Sequence, residues 1–191
     1  MSNIGYQRAL EMGLAEIQKL APDEITENTG VVWNGKTFEI PWYNQLVPFE
    51  DGSIEEKIIW LHYMAAKGRK APTGQYITYK QTPGAAIYND NFIKRCISPM
   101  VKVFSNDLDS FLKKGMLLGG RQMALGDRSF TINVLPYIPI TFIIWQGDDE
   151  VPANGNIIFD ENVVDWLCAE DLVVIASLPV YKMIRMPLES A

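Results

Sequence analysis

The stretch from Pro139 to Asp160 constrains the fold of this chain more than any other. It opens with seven residues, Pro139 to Trp145, in which apolar and β-branched side chains dominate. Such a run has the length of a buried strand and is far shorter than the roughly 20 residues of a membrane span. Three consecutive carboxylates follow, and the chain then turns into a second apolar segment that ends at Asp160. We therefore predict an inner strand, an acidic turn, and a helix that Asp160 caps and that runs through Cys168.

Two turn signals predict β-hairpins. Asn34-Gly35 lies between two β-prone segments, and this dipeptide favours a type I′ turn because both residues tolerate positive φ. Gly126-Asp127-Arg128 precedes the alternating residues Phe130 to Val134 and marks a second hairpin.

Helical spacing and capping signals predict the remaining elements. Ser53 and Glu56 have the spacing of a capping box, and Ser2 and Gly68 are suited to cap helix ends. The predicted helices are residues 2–20, 53 to about 68, 89–104, 107–114 and 170 to about 185. Pro22 ends the first of these helices, Pro99 kinks or splits the third, and Pro179 bends or interrupts the last. These elements predict an α+β fold in which antiparallel hairpins or a mixed sheet pack against helices in a single domain. Two lobes, about 1–115 and 116–191, are the alternative.

Composition excludes several classes of protein. The net charge of -6 and the pI of about 4.8 disfavour nucleic-acid binding, which needs a basic face. The chain shows no signal-peptide pattern and no apolar stretch long enough for a membrane span, so we expect a cytoplasmic protein without a membrane partner. Its two cysteines, Cys96 and Cys168, are predicted to be buried free thiols, and two such residues alone hold neither zinc nor an iron–sulfur cluster.

His62, the sole histidine, falls beside the apolar stripe of the helix that Ser53 begins. No Asp or Glu lies four residues away to orient its ring. We therefore favour a hydrogen-bonded structural histidine over a catalytic base or a metal ligand.

Residues 73–88 are the candidate cofactor site. Glycines there let backbone amides approach a phosphate, although turn geometry alone also explains them. Aromatic side chains with polar tips suit a flat ligand such as a flavin, a nucleotide or a corrinoid. The candidate cofactor-binding residues, with the nearest cations included, are Thr73, Gly74, Tyr76, Tyr79, Lys80, Gly84, Tyr88, Arg95 and Arg121.

The acidic turn Asp148, Asp149 and Glu150 is the candidate metal site. Oxygen ligands suit hard cations such as Mg²⁺ or Ca²⁺, and neighbouring carboxylates can also perform acid–base chemistry. The alternative is an ordinary solvated turn, and the spacing does not fit an EF-hand.

Several short motifs occur in a fixed order along the chain: Ile58–Met64, Thr73–Tyr79, Pro83-Gly84, Tyr88–Phe92 with Arg95, Leu135-Pro136, Trp145–Glu150, Phe159-Asp160 and Glu170-Asp171. Taken together, they resemble the bacterial and archaeal family called domain of unknown function 3786. The resemblance implies a setting in anaerobes, where some members carry or neighbour iron–sulfur domains and genes of one-carbon and corrinoid metabolism. This chain lacks a cysteine cluster and so has no iron–sulfur ligands of its own, and the family supplies no established catalytic residues.

The resemblance and the candidate pocket together predict a non-catalytic accessory or cofactor-binding protein of anaerobic one-carbon or corrinoid-linked metabolism. The second hypothesis is an enzyme that uses the 148–150 carboxylates with a divalent cation. The third is a structural or interaction module that self-associates or binds a protein of the same metabolism.

Overall fold

Helices and strands are mixed along the chain in the computed structural model, which describes residues 3–67 and 70–187. The first part contains α1 (Asn3–Ile17), α2 (Pro22–Thr29), β1 (Val32–Trp33), β2 (Phe38–Trp42), β3 (Gln45–Pro48) and α3 (Ile54–Ala65). The second contains β4 (Tyr76–Thr78), α4 (Ala85–Phe92), α5 (Ser98–Phe104), α6 (Leu108–Leu117), β5 (Arg121–Met123), β6 (Arg128–Leu135), β7 (Ile138–Trp145), β8 (Asn154–Asp160) and α7 (Ala169–Arg185).

A five-stranded antiparallel sheet with the order β4-β8-β7-β6-β5 forms the centre of the molecule. The predicted inner strand is confirmed, because β7 lies in the middle of this sheet with β6 and β8 on either side. Phe142 pairs with Phe130 on β6 and with Ile157 on β8, and all three side chains are fully buried. Side chains alternate between the two faces of a strand, so these residues share one face of the sheet.

The hydrophobic core lies between that face and the helices that follow β4. Phe92 of α4 packs on Phe159, and Phe111 of α6 lies 4.8 Å from Phe130, measured between ring centroids. α7 is buried along most of its length. Full burial of each such side chain contributes about 1.5–3 kcal/mol to folding. The predicted α+β class, with antiparallel hairpins packed against helices, is confirmed.

A smaller antiparallel sheet with the order β1-β2-β3 contains the first predicted hairpin. Its loop has four residues and not two, since Trp33 pairs with Phe38. Gly35 has a φ of +87°, whereas the Asn34 side chain accepts hydrogen bonds from the amides of residues 36 and 37. The hairpin prediction is therefore right and the type I′ turn is wrong, because the Asn34 carboxamide organises a wider turn. The second hairpin, β5–β6, is also confirmed.

Helix boundaries follow the predicted caps in part. The capping box of Ser53 and Glu56 is present at the start of α3. Pro22 occupies the first turn of α2, a position where its missing N–H costs nothing, and α1 already ends at Ile17. A π-helical segment, Ile93–Ile97, separates α4 from α5 just before Pro99. The predicted cap residues at positions 2 and 68 lie outside the described residues.

The helix predicted from Asp160 through Cys168 is wrong in its extent. Asp160 caps a short 3₁₀ turn, Glu161–Asp165, by accepting a hydrogen bond from the Asn162 amide. Cys168 then acts as the N-cap of α7.

Candidate functional site

The nine candidate cofactor-binding residues do not form a single pocket. Three of them, Gly74, Tyr76 and Arg121, line a cavity of about 430 Å³ on the sheet face opposite the core. Lys80 and Tyr79 line a different cavity of about 330 Å³. The others are placed elsewhere: Thr73 is hydrogen-bonded to Asp160, Gly84 is the N-cap of α4, Tyr88 contacts Glu170, and Arg95 lies in the π-helical segment.

The register of the sheet explains why the sheet-face cavity gathers residues from distant parts of the chain. Arg121 on β5 lies directly opposite Thr131 on β6, and Thr131 lies opposite Thr141 on β7. The hydroxyl oxygens of the two threonines are 2.6 Å apart. Tyr76 on the edge strand β4 pairs with Asp160 and brings its ring, 46% exposed, to the other side of the cavity.

Arg121 supplies the positive charge of this cavity. Within residues 3–67 and 70–187 its guanidinium makes no salt bridge or side-chain hydrogen bond. Asn133, exposed on β6, lines the same cavity and adds an amide group. A guanidinium, a carboxamide and an aromatic ring thus surround one volume, together with the carboxylate of Asp160, whose oxygens already accept backbone hydrogen bonds. With that carboxylate engaged by the chain itself, the combination suits an anionic ligand with a flat ring.

A buried carboxylate holds the loop that forms one wall of the cavity. Asp160, 2% exposed, accepts hydrogen bonds from the backbone amides of Thr73 at 3.0 Å, Gly74 at 2.6 Å and Asn162 at 3.1 Å. The two loop amides that the sequence assigned to a phosphate are therefore already bound to a carboxylate of the chain itself. Gly74 has a φ of +83°, which a glycine adopts without strain, and it remains a lining residue of the cavity.

Tyr79 is a core residue. Its ring stacks on Phe92 with 4.1 Å between centroids, and its hydroxyl donates to the carbonyl of Ala169 at 3.0 Å. Burial raises the pKa of Tyr79 to about 12. Lys80, by contrast, is exposed at the rim of the cavity that the two residues share with Asn156.

In the acidic turn, a carboxylate side chain is hydrogen-bonded to backbone amides of the same turn. The Asp148 carboxylate accepts hydrogen bonds from the amides of Glu150 at 2.9 Å and Val151 at 2.7 Å, and these bonds lower the pKa of its carboxyl group. Asp149 and Glu150 are exposed. In the described part of the chain no three His, Cys, Asp or Glu side chains lie together in a way that could hold a metal ion. The candidate metal site at 148–150 thus gains no geometric support.

The structure also shows a polar cluster that sequence reasoning missed. His62 Nδ1 lies 2.8 Å from Asp171 Oδ1, and the side chains are 43% and 9% exposed. Asp171 Oδ2 lies 3.2 Å from the backbone N and 3.1 Å from the Sγ of Cys168. The hydrogen bond that His62 donates to the Asp171 carboxylate raises the pKa of His62 and outweighs the opposing effect of burial. The partner of His62 therefore comes from another helix, α7, and not from the next turn of α3.

One sequence signal could have found half of this cluster. Cys168 and Asp171 have the i, i+3 spacing of a capping box, and both reciprocal contacts are present at the start of α7. This position also corrects the prediction for Cys168, which is exposed because it caps a helix end. Cys96 is buried as predicted, and its thiol donates to the carbonyl of Val173 at 3.3 Å.

Residues 21–182 match the family model described as Domain of unknown function (DUF3786). No curated protein and no solved structure matches the chain. Across the residues that the structure describes, no helix combines the length and the apolar character needed to cross a membrane. The matched span runs from the N-cap of α2 into α7 and includes both the sheet-face cavity and the His62 cluster. The resemblance seen in the sequence is thereby confirmed, and the chain belongs to the family Domain of unknown function (DUF3786).

Proposed function

We propose that this protein binds an anionic organic cofactor in the sheet-face cavity and serves as an accessory protein of anaerobic one-carbon metabolism. The observation that carries the binding role is Arg121, a guanidinium without a protein partner among the described residues, on the wall of a cavity that Tyr76 also lines. The metabolic setting rests on the family resemblance alone.

The dimensions and chemistry of the cavity define the ligand class. Its volume of about 430 Å³ lies in the range of roughly 300–1,000 Å³ that is typical of small-molecule sites. Arg121 favours a phosphate or carboxylate, and the exposed ring of Tyr76 offers a flat surface for a heterocycle. A nucleotide, a flavin nucleotide and the nucleotide portion of a corrinoid all combine a phosphate with an aromatic ring. That shared portion is the ligand that we propose for the cavity.

Isothermal titration calorimetry with flavin mononucleotide, adenosine triphosphate and cobalamin tests the proposal. The Arg121→Gln variant should bind the preferred cofactor at least tenfold more weakly, because a charge-assisted hydrogen bond contributes about 1.5–3 kcal/mol and 1.4 kcal/mol is a factor of ten. Arg95→Gln is the matched control, since Arg95 does not line this cavity and should be removable without effect.

Two results would contradict the proposal. One is equal affinity of the Arg121→Gln and wild-type proteins; the other is the absence of binding for all three probes. Ultraviolet–visible spectroscopy and mass spectrometry of protein purified from its native host provide an independent measurement, because a retained cofactor would appear as absorbance beyond the aromatic band and as a released mass.

A further inference from the structure

A second cavity, of about 180 Å³, lies between α1, α3 and α7, and its lining mixes apolar and acidic residues. The apolar members are Ala9 on α1, Ile58 and Ile59 on α3, and Val174 on α7. The polar members are the His62 cluster and two further carboxylates. They comprise Glu55, His62, Cys168, Glu170 and Asp171, and Tyr6 completes the lining.

The hydrogen bonds of Asp171 fix the state of the imidazole. A carboxylate only accepts, so the 2.8 Å contact requires a proton on His62 Nδ1. In the neutral ring the other nitrogen, Nε2, is then a base with a free lone pair. Within residues 3–67 and 70–187 no hydrogen bond to Nε2 is formed. The pairing of a histidine with an orienting carboxylate is the arrangement of a general base.

Asp171 is itself held on two sides, which makes it a rigid positioning residue. Its second oxygen accepts from the Cys168 backbone amide at 3.2 Å and from the Cys168 thiol at 3.1 Å. Burial and the negative charge of Asp171 raise the pKa of the Cys168 thiol, which therefore stays protonated at neutral pH and donates to the carboxylate. The histidine, and not the thiol, is thus the base of this cluster.

Charge and volume restrict what the cavity accepts. Three carboxylates, Glu55, Glu170 and Asp171, line it, and no Lys or Arg does, so an anionic substrate is disfavoured. Glu170 additionally accepts a hydrogen bond from the Tyr88 hydroxyl at 3.2 Å. The volume of about 180 Å³ leaves room for a molecule of a few non-hydrogen atoms. We propose that this cavity is a proton-transfer site in which His62 Nε2 acts as the base on a small uncharged carbon acid, such as a short aldehyde or ketone.

The reaction step is a proton transfer and needs no further reactant. Nε2 takes a proton from the carbon next to the carbonyl group, the electron pair of that C–H bond forms a C=C bond, and the π pair of the carbonyl group moves onto its oxygen to give an enolate. The positive charge that forms on the imidazole ring in the same step offsets the negative charge of the enolate. The imidazolium, stabilised by the Asp171 carboxylate, then returns a proton to the same carbon or to the oxygen. This activity is independent of the cofactor-binding role proposed above, because it uses a different cavity.

Deuterium exchange into nitroethane tests the inference. Nitroethane is a small uncharged carbon acid, and loss of its α-proton signal in D₂O is followed by proton NMR with and without the full-length protein. We expect exchange above the buffer rate in proportion to protein concentration, and a fall to the buffer rate in His62→Gln. Since the chain has one histidine, the NMR titration of its ring gives the pKa of His62 directly. The pH profile of exchange should rise with that same midpoint.

Asp171→Asn separates positioning from a purely structural role. Removing the carboxylate should lower both the exchange rate and the pH midpoint. Asp109→Asn is the matched control, because Asp109 also lies in the first turn of a helix and is 89% exposed in a pair with Arg128, and this variant should leave the exchange unchanged. Equal exchange by wild type and His62→Gln would overturn the inference. So would a midpoint that does not follow the titration of His62.

Discussion

Replacing Asp160 should destabilise the protein far more than replacing an ordinary surface aspartate. Its carboxylate, 2% exposed, accepts three backbone hydrogen bonds within 3.1 Å. A hydrogen bond to a charged group contributes about 1.5–3 kcal/mol, and a buried amide left without a partner costs about 1–3 kcal/mol. The Thr73 and Gly74 residues are exposed, so water can replace part of the loss there, whereas Asn162 is buried. We therefore expect Asp160→Ala to lower the free energy of unfolding by about 3–5 kcal/mol.

Urea denaturation followed by tryptophan fluorescence measures this loss, because the chain has five tryptophans. The loss corresponds to a decrease in Tm on the order of 10 °C for a chain of this length. Asp160→Asn keeps the shape of the side chain but places an N–H group opposite a backbone N–H group, so about 2–3 kcal/mol should be lost. The matched control is Asp165→Ala in the adjacent 3₁₀ turn, where Asp165 forms a partly exposed ion pair with Lys70 at 3.2 Å. Such pairs contribute about 0–1 kcal/mol.

The comparison with Asp165→Ala decides the outcome. If Asp160→Ala and Asp165→Ala lower the free energy of unfolding equally, the three-amide explanation is refuted. If Asp160→Asn has the same free energy of unfolding as wild type while Asp160→Ala is destabilised, the negative charge is dispensable and the shape of the side chain holds the loop.

Three further predictions concern other parts of the molecule. The pKa of His62 is raised above its usual 6.5, so its pair with Asp171 stabilises the fold fully below about pH 6.5 and loses that contribution as the pH rises through the folded-state pKa. Urea titrations at several pH values should therefore show a free energy of unfolding that falls across this range, and Asp171→Asn should flatten that pH dependence. A thiol reagent such as 5,5′-dithiobis(2-nitrobenzoate) should modify Cys168 slowly in the folded protein, because this thiol is exposed but its raised pKa keeps it protonated. Cys96 should react only after unfolding, since it is buried and burial raises the pKa of its thiol to about 12; rapid modification of both would show that the core opens. Gly115→Ala should lower the free energy of unfolding by about 1–3 kcal/mol, because the added Cβ would lie 2.5 Å from an aromatic carbon of Phe130 on β6. We expect this loss although alanine has a better helix propensity than glycine. A stability equal to that of wild type in urea would contradict this packing.

Local rules predicted the elements whose signals lie within a few residues of each other. The capping box at Ser53 and the hairpin at Asn34-Gly35 depend on neighbours in the chain, and both are present. The central position of β7 was predicted from its predominantly apolar composition, which only Thr141 interrupts. The turn at Asn34 differs in type because a side chain, and not the backbone alone, organises it.

The polar contacts of the two candidate sites could not be predicted in this way. His62 and Asp171 are 109 residues apart in the sequence, and Thr73 and Asp160 are 87 apart. These pairs depend on the packing of α3 against α7 and on the pairing of β4 with β8, which no local spacing encodes. A search for a carboxylate four residues from His62 could not find a partner on another helix.

The motifs that indicated the family are joined to one another by these long-range contacts. The segment that contains His62 is linked to Asp171, the hydroxyl of Tyr88 donates to Glu170, and the loop at Thr73 binds Asp160. Each candidate site is supported by one such pair. Asp160 holds the loop that precedes Tyr76 on the wall of the sheet-face cavity, and Asp171 orients the ring of His62.

This arrangement separates binding from scaffolding in a measurable way. Asp160→Asn should weaken cofactor binding and lower the free energy of unfolding together, because it loosens a wall of the cavity as well as a loop of the fold. Arg121→Gln should weaken binding alone, since Arg121 is exposed and has no partner within the described residues to lose. Measuring affinity by calorimetry and stability by urea on both variants therefore tests whether Arg121 contacts the ligand directly. A loss of stability in Arg121→Gln as large as that in Asp160→Asn would place Arg121 among the structural residues and remove the observation on which the binding role rests.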